Sequence, residues 1–320
     1  MMTLLLRTSP FGPSLSVMSG GNNSRKDDSK NIRLEAIADF LEDQQQSECS
    51  ATELGFVWTA GDRLLTFATS SEFLSEALKR PNISAVLLDS SVRSDTSASK
   101  GSQRVIRVRD ARLNFFRLHN SLRAEMSFSA TQVDPTAKIH PTALIDEVGV
   151  TVGANTTIEE FVTLKSGTSI GQDCVIRAGS RLGSDALDIK TDEVGNPYMT
   201  DHLGGVQVGN NVEIGHNSVV DRSIFRQTAT VIGDHTKIGC LSNISHGVQL
   251  GAKNRIAAGV KICGSAVVGE DNWIGPGAII SNLLKVGSRN YIALGAHVLA
   301  DLEDDWKVVG IRVFKDRKLF

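Results

Sequence analysis

Residues 232–275 read IGDHTKIGCLSNISHGVQLGAKNRIAAGVKICGSAVVGEDNWIG. An aliphatic residue returns at every sixth position: Ile232, Ile238, Ile244, Leu250, Ile256, Ile262, Val268 and Ile274. The same step runs from Val208 to Val298, and only Arg226 breaks the run of branched aliphatics. A helix needs apolar recurrence near 3.6 residues and an isolated strand near 2, so neither yields a period of six. The period fits a hexapeptide β-helix, with short strands joined by tight turns and stacked into coils. Gly, Asn and Asp between the aliphatics (Gly209-Asn210-Asn211, Gly233-Asp234, Gly269-Glu270-Asp271-Asn272) suit turn backbone at positive φ.

Upstream, Ile139 opens the array between Pro135 and Pro141, and Val152, Ile158, Leu164, Ile170, Ile176 and Leu182 keep the step. Leu182 and Val208 are out of phase, so part of Ser184 to Gly205 leaves the coil as an inserted loop, either packaging or a lid. The repeat domain is placed at residues 135–300 and a short, charged C-terminal tail at 301–320, which could cap the last coil or pack on a neighbouring subunit.

Ahead of the array, residues 30–128 read as a small α/β domain of sufficient size for its own core. Ile32 to Leu41 has helical spacing, Leu64–Phe67 and Ala85–Leu88 read as strands around a Phe73–Leu78 helix, and Asp110–Leu122 reads as a second helix. Residues 1–28 are acid-poor up to Asp27, Ser-rich and Arg-bearing, the profile of a transit peptide for the mitochondrion, with the chloroplast as the alternative.

Composition narrows the partners. Of 320 residues 41% are hydrophobic and 22% charged, and the net charge of −2 offers no electrostatic attraction for nucleic acid. No apolar run approaches the ~20 residues of a transmembrane segment. Cys49, Cys174, Cys240 and Cys263 are scattered without a C-x-x-C pair and read as reduced structural thiols.

His246 stands out by position, two residues after the inward Ile244. Three hexads make a coil, so the residue eighteen further on, Gly264, stacks on it at about one strand spacing, ~4.8 Å. A base beside a bare backbone N–H is the pair an acyl transfer uses, one to take a proton and one to steady the oxyanion. Asp221-Arg222 replaces the usual Gly after Val220, either as a local ion pair or as a polar part of a site. His216 shares the hexad phase of His246 but falls on another side of the prism, so the two could meet only across a subunit interface. A zinc site between subunits, built from His216, His235 and His246, is a further reading.

Together, Val212-Glu213-Ile214-Gly215, Val220-Asp221-Arg222, Ile244-Ser245-His246 and Ala258-Gly259-Val260 leading to Cys263-Gly264-Ser265 resemble the UDP-3-O-acylglucosamine N-acyltransferases of lipid A biosynthesis, in a plant organellar form. The resemblance runs from about residue 32 to 310. It implies a left-handed parallel β-helix, a homotrimer with sites between subunits, and transfer of a 3-hydroxyacyl chain from acyl carrier protein to the 2-amino group of a UDP-sugar. No metal or organic cofactor is required. The resemblance makes His246 the general base and Gly264 the oxyanion amide. It makes Phe67 and Phe73 the aromatic pair that holds uracil, and Asp185, His216, Asp221, Arg222 and Asn243 substrate-binding residues. Ser70 replaces an Asn of the family's uracil site, Ala186-Leu187-Asp188-Ile189 an aromatic Gly-rich segment, and Leu283 a second His; the family's C-terminal helices are nearly absent. Those departures motivate two alternatives, a catalytically idle trimeric scaffold and a zinc-dependent hydratase resembling γ-class carbonic anhydrases.

Overall fold

A computed structural model of the chain describes residues 31–43, 48–93, 103–310 and 312–314. The transit-peptide reading of residues 1–28 lies outside the described residues.

The hexad period becomes a parallel β-helix. Two- to four-residue strands form three parallel sheets, and each inward aliphatic sits on its equivalent in the next coil: Ile214 on Ile238, Ile244 on Ile262, Val268 on Val286. Buried Ile, Val and Leu fill the prism from Val150 to Val308 as one continuous core. Corner residues adopt positive φ, among them Asn211, His235 and Asp271, as the turn composition predicts. One corner carries a ladder in which Asn254, Asn272 and Asn290 side chains each accept from the next coil's backbone N–H. Such a ladder satisfies buried amides that lie between sheets.

Two segments leave the coil. Between Leu182 and Val206 the chain forms an antiparallel hairpin, Ile189–Thr191 with Pro197–Met199. The second segment follows Asp221. Val220 stacks on Ile244 and Val208 on Ile232, twenty-four residues on, where neighbouring coils repeat at eighteen. One whole hexad is therefore looped out, which accounts for Arg226 as the break in the aliphatic run. Ile224 and Phe225 of that loop are buried in the core of the N-terminal domain.

The N-terminal domain has a four-stranded parallel sheet, β1 (Glu53–Leu54), β2 (Leu64–Ala68), β3 (Ile83–Asp89) and β4 (Arg104–Val108), with helices α1 (Ser71–Leu78) and α2 (Ala111–Ser121). The Ile32–Leu41 segment is a 3₁₀ helix over Glu35–Phe40, shorter than the α-helix its spacing suggests. Ser70 caps α1 by accepting from the Phe73 N–H, and Asp110 caps α2 by accepting from the Leu113 N–H. At the other end, Lys307–Val309 adds a strand beside Tyr291–Ile292, and Arg312–Phe314 turns back antiparallel on it. The tail thus continues the coil before closing it. All four cysteines are free thiols. Among the described residues no helix is long and apolar enough to cross a membrane.

Candidate active site

The stacking of His246 and Gly264 is closer than ladder spacing alone requires. A Cβ placed on residue 264 would lie 2.5 Å from both Cε1 and Nε2 of the His246 ring. Any side chain there would collide with the imidazole, so glycine is demanded by close approach rather than by a left-handed backbone. The Gly264 carbonyl accepts from Leu283 N–H and the His246 carbonyl from Ser265 N–H, while the Gly264 N–H donates to no group among the described residues. A ring nitrogen thus lies against the backbone of a residue whose amide is uncommitted among the described residues.

The ring is held in a low-polarity setting. Burial pushes the His246 pKa below the ordinary imidazole value, with Asp188 acting to raise it and Lys190 to lower it. Its Nδ1 is buried without a hydrogen-bond partner. Among the described residues no carboxylate orients this base in the manner of a Ser-His-Asp triad.

Asp221 ends a strand of the same sheet, one coil earlier. Burial raises its carboxyl to about 6, against hydrogen bonds from the Asn243 and Ser245 side chains, which lower it. The local Asp221-Arg222 ion pair does not form. Arg222 turns away, donates to the Gly204 and Ser166 carbonyls, and lies 3.9 Å from Asp185. Asp185 also meets Arg123 at 3.3 Å. Asp185, Asp221, Arg222, Asn243, His246 and Gly264 thus belong to one face of the prism.

The remaining sequence candidates lie elsewhere. His216 follows a strand of the adjacent sheet, half exposed, with Nδ1 4.0 Å from the Glu159 carboxylate that Arg177 also holds. His235 occupies an exposed corner, so the zinc candidates His216, His235 and His246 are not gathered within one chain. Phe67 packs with Phe115 and Phe116, while Phe73 packs on the cluster around Leu74 and Leu88, on the other face of the sheet. The structure does not bring these two rings together.

Sequence reasoning missed His202. It lies in the inserted segment, fully buried, with its ring against His246 at a centroid separation of 5.3 Å and an interplanar angle of 67°. Burial, with His246 second, lowers its pKa to about 4. The only sequence signal was the broken period around it. The hairpin ahead of it docks on α2: Asn120 donates to the Met199 carbonyl and accepts from Asp201 N–H, and Arg117 pairs with Glu193. These contacts anchor the insert on α2.

Residues 149–184 and 229–264 match the family described as bacterial transferase hexapeptide (six repeats). Those two stretches carry hexapeptide repeats of that pattern. Over 63 residues it is 49% identical to a UDP-3-O-acylglucosamine N-acyltransferase of Bordetella avium, a stretch covering 20% of this chain and 17% of that protein. Over 74 residues it is 40% identical to the Rickettsia conorii protein of the same name, covering 23% and 21%. These matches span less than a quarter of the relatives' length. Among solved structures, a Francisella novicida UDP-N-acetylglucosamine acyltransferase aligns at 22% identity and a TM-score of 0.48, over 58% of this chain and 67% of that one.

Proposed function

We propose that the protein is an N-acyltransferase that moves a (3-hydroxy)acyl chain from acyl carrier protein to the 2-amino group of a UDP-3-O-acylglucosamine. The observation that carries this reading is the His246 ring against the Gly264 backbone. The named relatives supply the substrate class, and the sequence around the pair supplies the resemblance to them.

In this mechanism the acceptor amine attacks the thioester carbonyl carbon while His246 Nε2 takes a proton from the nitrogen. The carbonyl oxygen becomes an oxyanion facing the Gly264 N–H. Collapse of the tetrahedral intermediate breaks the C–S bond, and the sulfur leaves with the proton that His246 returns. The products are an amide and a free thiol. A neutral imidazole is the form that acts as base, and burial favours it.

Asp221 and Asn243, on the same face, are proposed to contact the acceptor, with Asp185 and Arg222 flanking it. His216 is proposed to act on a neighbouring copy's site in a homotrimer. The acid-poor N-terminal stretch supports an organellar location, the mitochondrion ahead of the chloroplast.

The test is acyl transfer by the full chain, wild type beside His246→Ala, with a UDP-3-O-acylglucosamine and 3-hydroxyacyl carrier protein. Loss of one general base lowers kcat by roughly 10²- to 10⁴-fold. A His246→Ala protein with undiminished turnover would remove His246 from this role, and a folded wild type with no transfer would favour the idle scaffold.

A further inference from the structure

His202 is held from both sides in the chain. The Asp201 carbonyl lies 3.0 Å from His119 Nε2, its carboxylate 3.1 Å from Arg123, and its N–H donates to Asn120, all on or just beyond α2. On the other side Leu203 donates to the Ile224 carbonyl and packs in the N-terminal core. These anchors hold the backbone on both sides of the ring, which lies against His246.

Packing alone does not explain a histidine here. Both ring nitrogens are buried without a hydrogen bond of good geometry, and the Thr200 backbone, which raises the His202 pKa, is the one backbone group acting on the ring. A buried polar atom without a partner costs about 1–3 kcal/mol, which a leucine or phenylalanine in the same cage would avoid. The His246 Nδ1 is orphaned in the same enclosure. For His246 to accept a proton at Nε2 its own hydrogen must sit on Nδ1, and that Nδ1–H calls most strongly for an acceptor once the ring is charged.

We propose that His202 is a positioning residue for the base, turning within its cage so that a neutral ring nitrogen accepts the Nδ1–H of protonated His246. This rests on the reading of His246 as the base of acyl transfer. Burial keeps His202 neutral down to about pH 4, which leaves a ring nitrogen free to accept. The other charged groups acting on the two rings are Asp185 and Asp188, which favour positive charge, and Lys190, which opposes it. The N-terminal domain, through α2, thereby holds the partner of a base that lies on the coil.

The experiment is a histidine Cε1–H NMR titration of the full chain, with the His246 resonance assigned by its disappearance in His246→Ala. His202→Phe keeps a ring against His246 and removes the acceptor, so the His246 pKa should fall by about one unit. His202→Gln supplies a carbonyl acceptor and should restore it. In acyl transfer, His202→Phe should lower kcat roughly tenfold with KM for the UDP-sugar nearly unchanged, because the contact is strongest when His246 is charged. An unchanged His246 pKa in His202→Phe, or an equal fall in His202→Gln, overturns the proposal whatever the rate of the enzyme. Undiminished turnover in His246→Ala removes His246 as the base instead, and a folded wild type without transfer overturns the acyl-transfer reading; both leave the titration result standing.

Discussion

Gly264 passes so close to His246 that a methyl group on residue 264 would share space with the imidazole edge. The pair is one coil apart on the same sheet, and the ladder between Asn243–Ile244 and Lys261–Ile262 fixes the distance. Gly264→Ala must displace the ring, the backbone, or both. The expected result is a loss of kcat of roughly 10²-fold or more, of the size seen when an oxyanion donor is removed, with a stability loss of about 1–3 kcal/mol from overpacking. Steady-state kinetics beside urea unfolding checks it, and wild-type kcat in the alanine variant would refute it.

The acid limb of catalysis should report His246. Burial holds its pKa below the ordinary value of 6.5, so the neutral base persists through that pH. The acid limb of kcat/KM that belongs to His246 should have its midpoint below that of an ordinary imidazole. Asp188 and Lys190 act on the same ring, and Asp188→Asn, by removing the favourable charge, should move the limb further toward acid.

Asp221 makes stability depend on pH in the opposite sense to most carboxylates. Its folded pKa, about 6, lies above the ordinary 3.8, so the folded state holds the proton more tightly than the unfolded chain. The stability it contributes is full below pH 3.8 and is lost as pH rises through 6. Asp221→Asn should therefore stabilise the fold more at pH 8 than at pH 4, by roughly 2–3 kcal/mol. Urea melts at the two pH values test the sign.

Phe225 joins the two domains. It leaves the coil in the looped-out hexad and stacks on Phe56 at 4.9 Å and His119 at 5.5 Å. Phe225→Ala should cost about 3–5 kcal/mol. A near-neutral effect in calorimetry would show that the N-terminal core does not depend on the loop.

Asn120 holds the hairpin through two backbone hydrogen bonds, at 2.8 Å to Met199 and 2.9 Å from Asp201. Asn120→Ala leaves both backbone groups without that partner, which amounts to about 1–3 kcal/mol of local stability. Amide exchange across residues 189–201 should accelerate by roughly tenfold or more while the Ile256–Ile292 coils stay protected.

The sequence by itself determined the prism. A period of six with aliphatics from Val208 to Val298 admits one arrangement of short stacked strands, and three hexads per coil set Gly264 over His246 without reference to any other part of the chain. Those relations are local or translational, so counting finds them. Contacts between segments with no shared period arise only on folding. Arg226 fits the count as a stop, yet its hexad leaves the coil because Ile224 and Phe225 find deeper burial in the other domain. Phe67 and Phe73 are six residues apart, but a strand alternates faces and α1 packs on the face Phe67 does not use, which sends the rings to separate clusters. His202 reaches His246 because α2 captures the hairpin ahead of it, and that docking depends on hydrogen bonds and ion pairs spanning some eighty residues of sequence, a placement that only the folded contacts between the two domains specify.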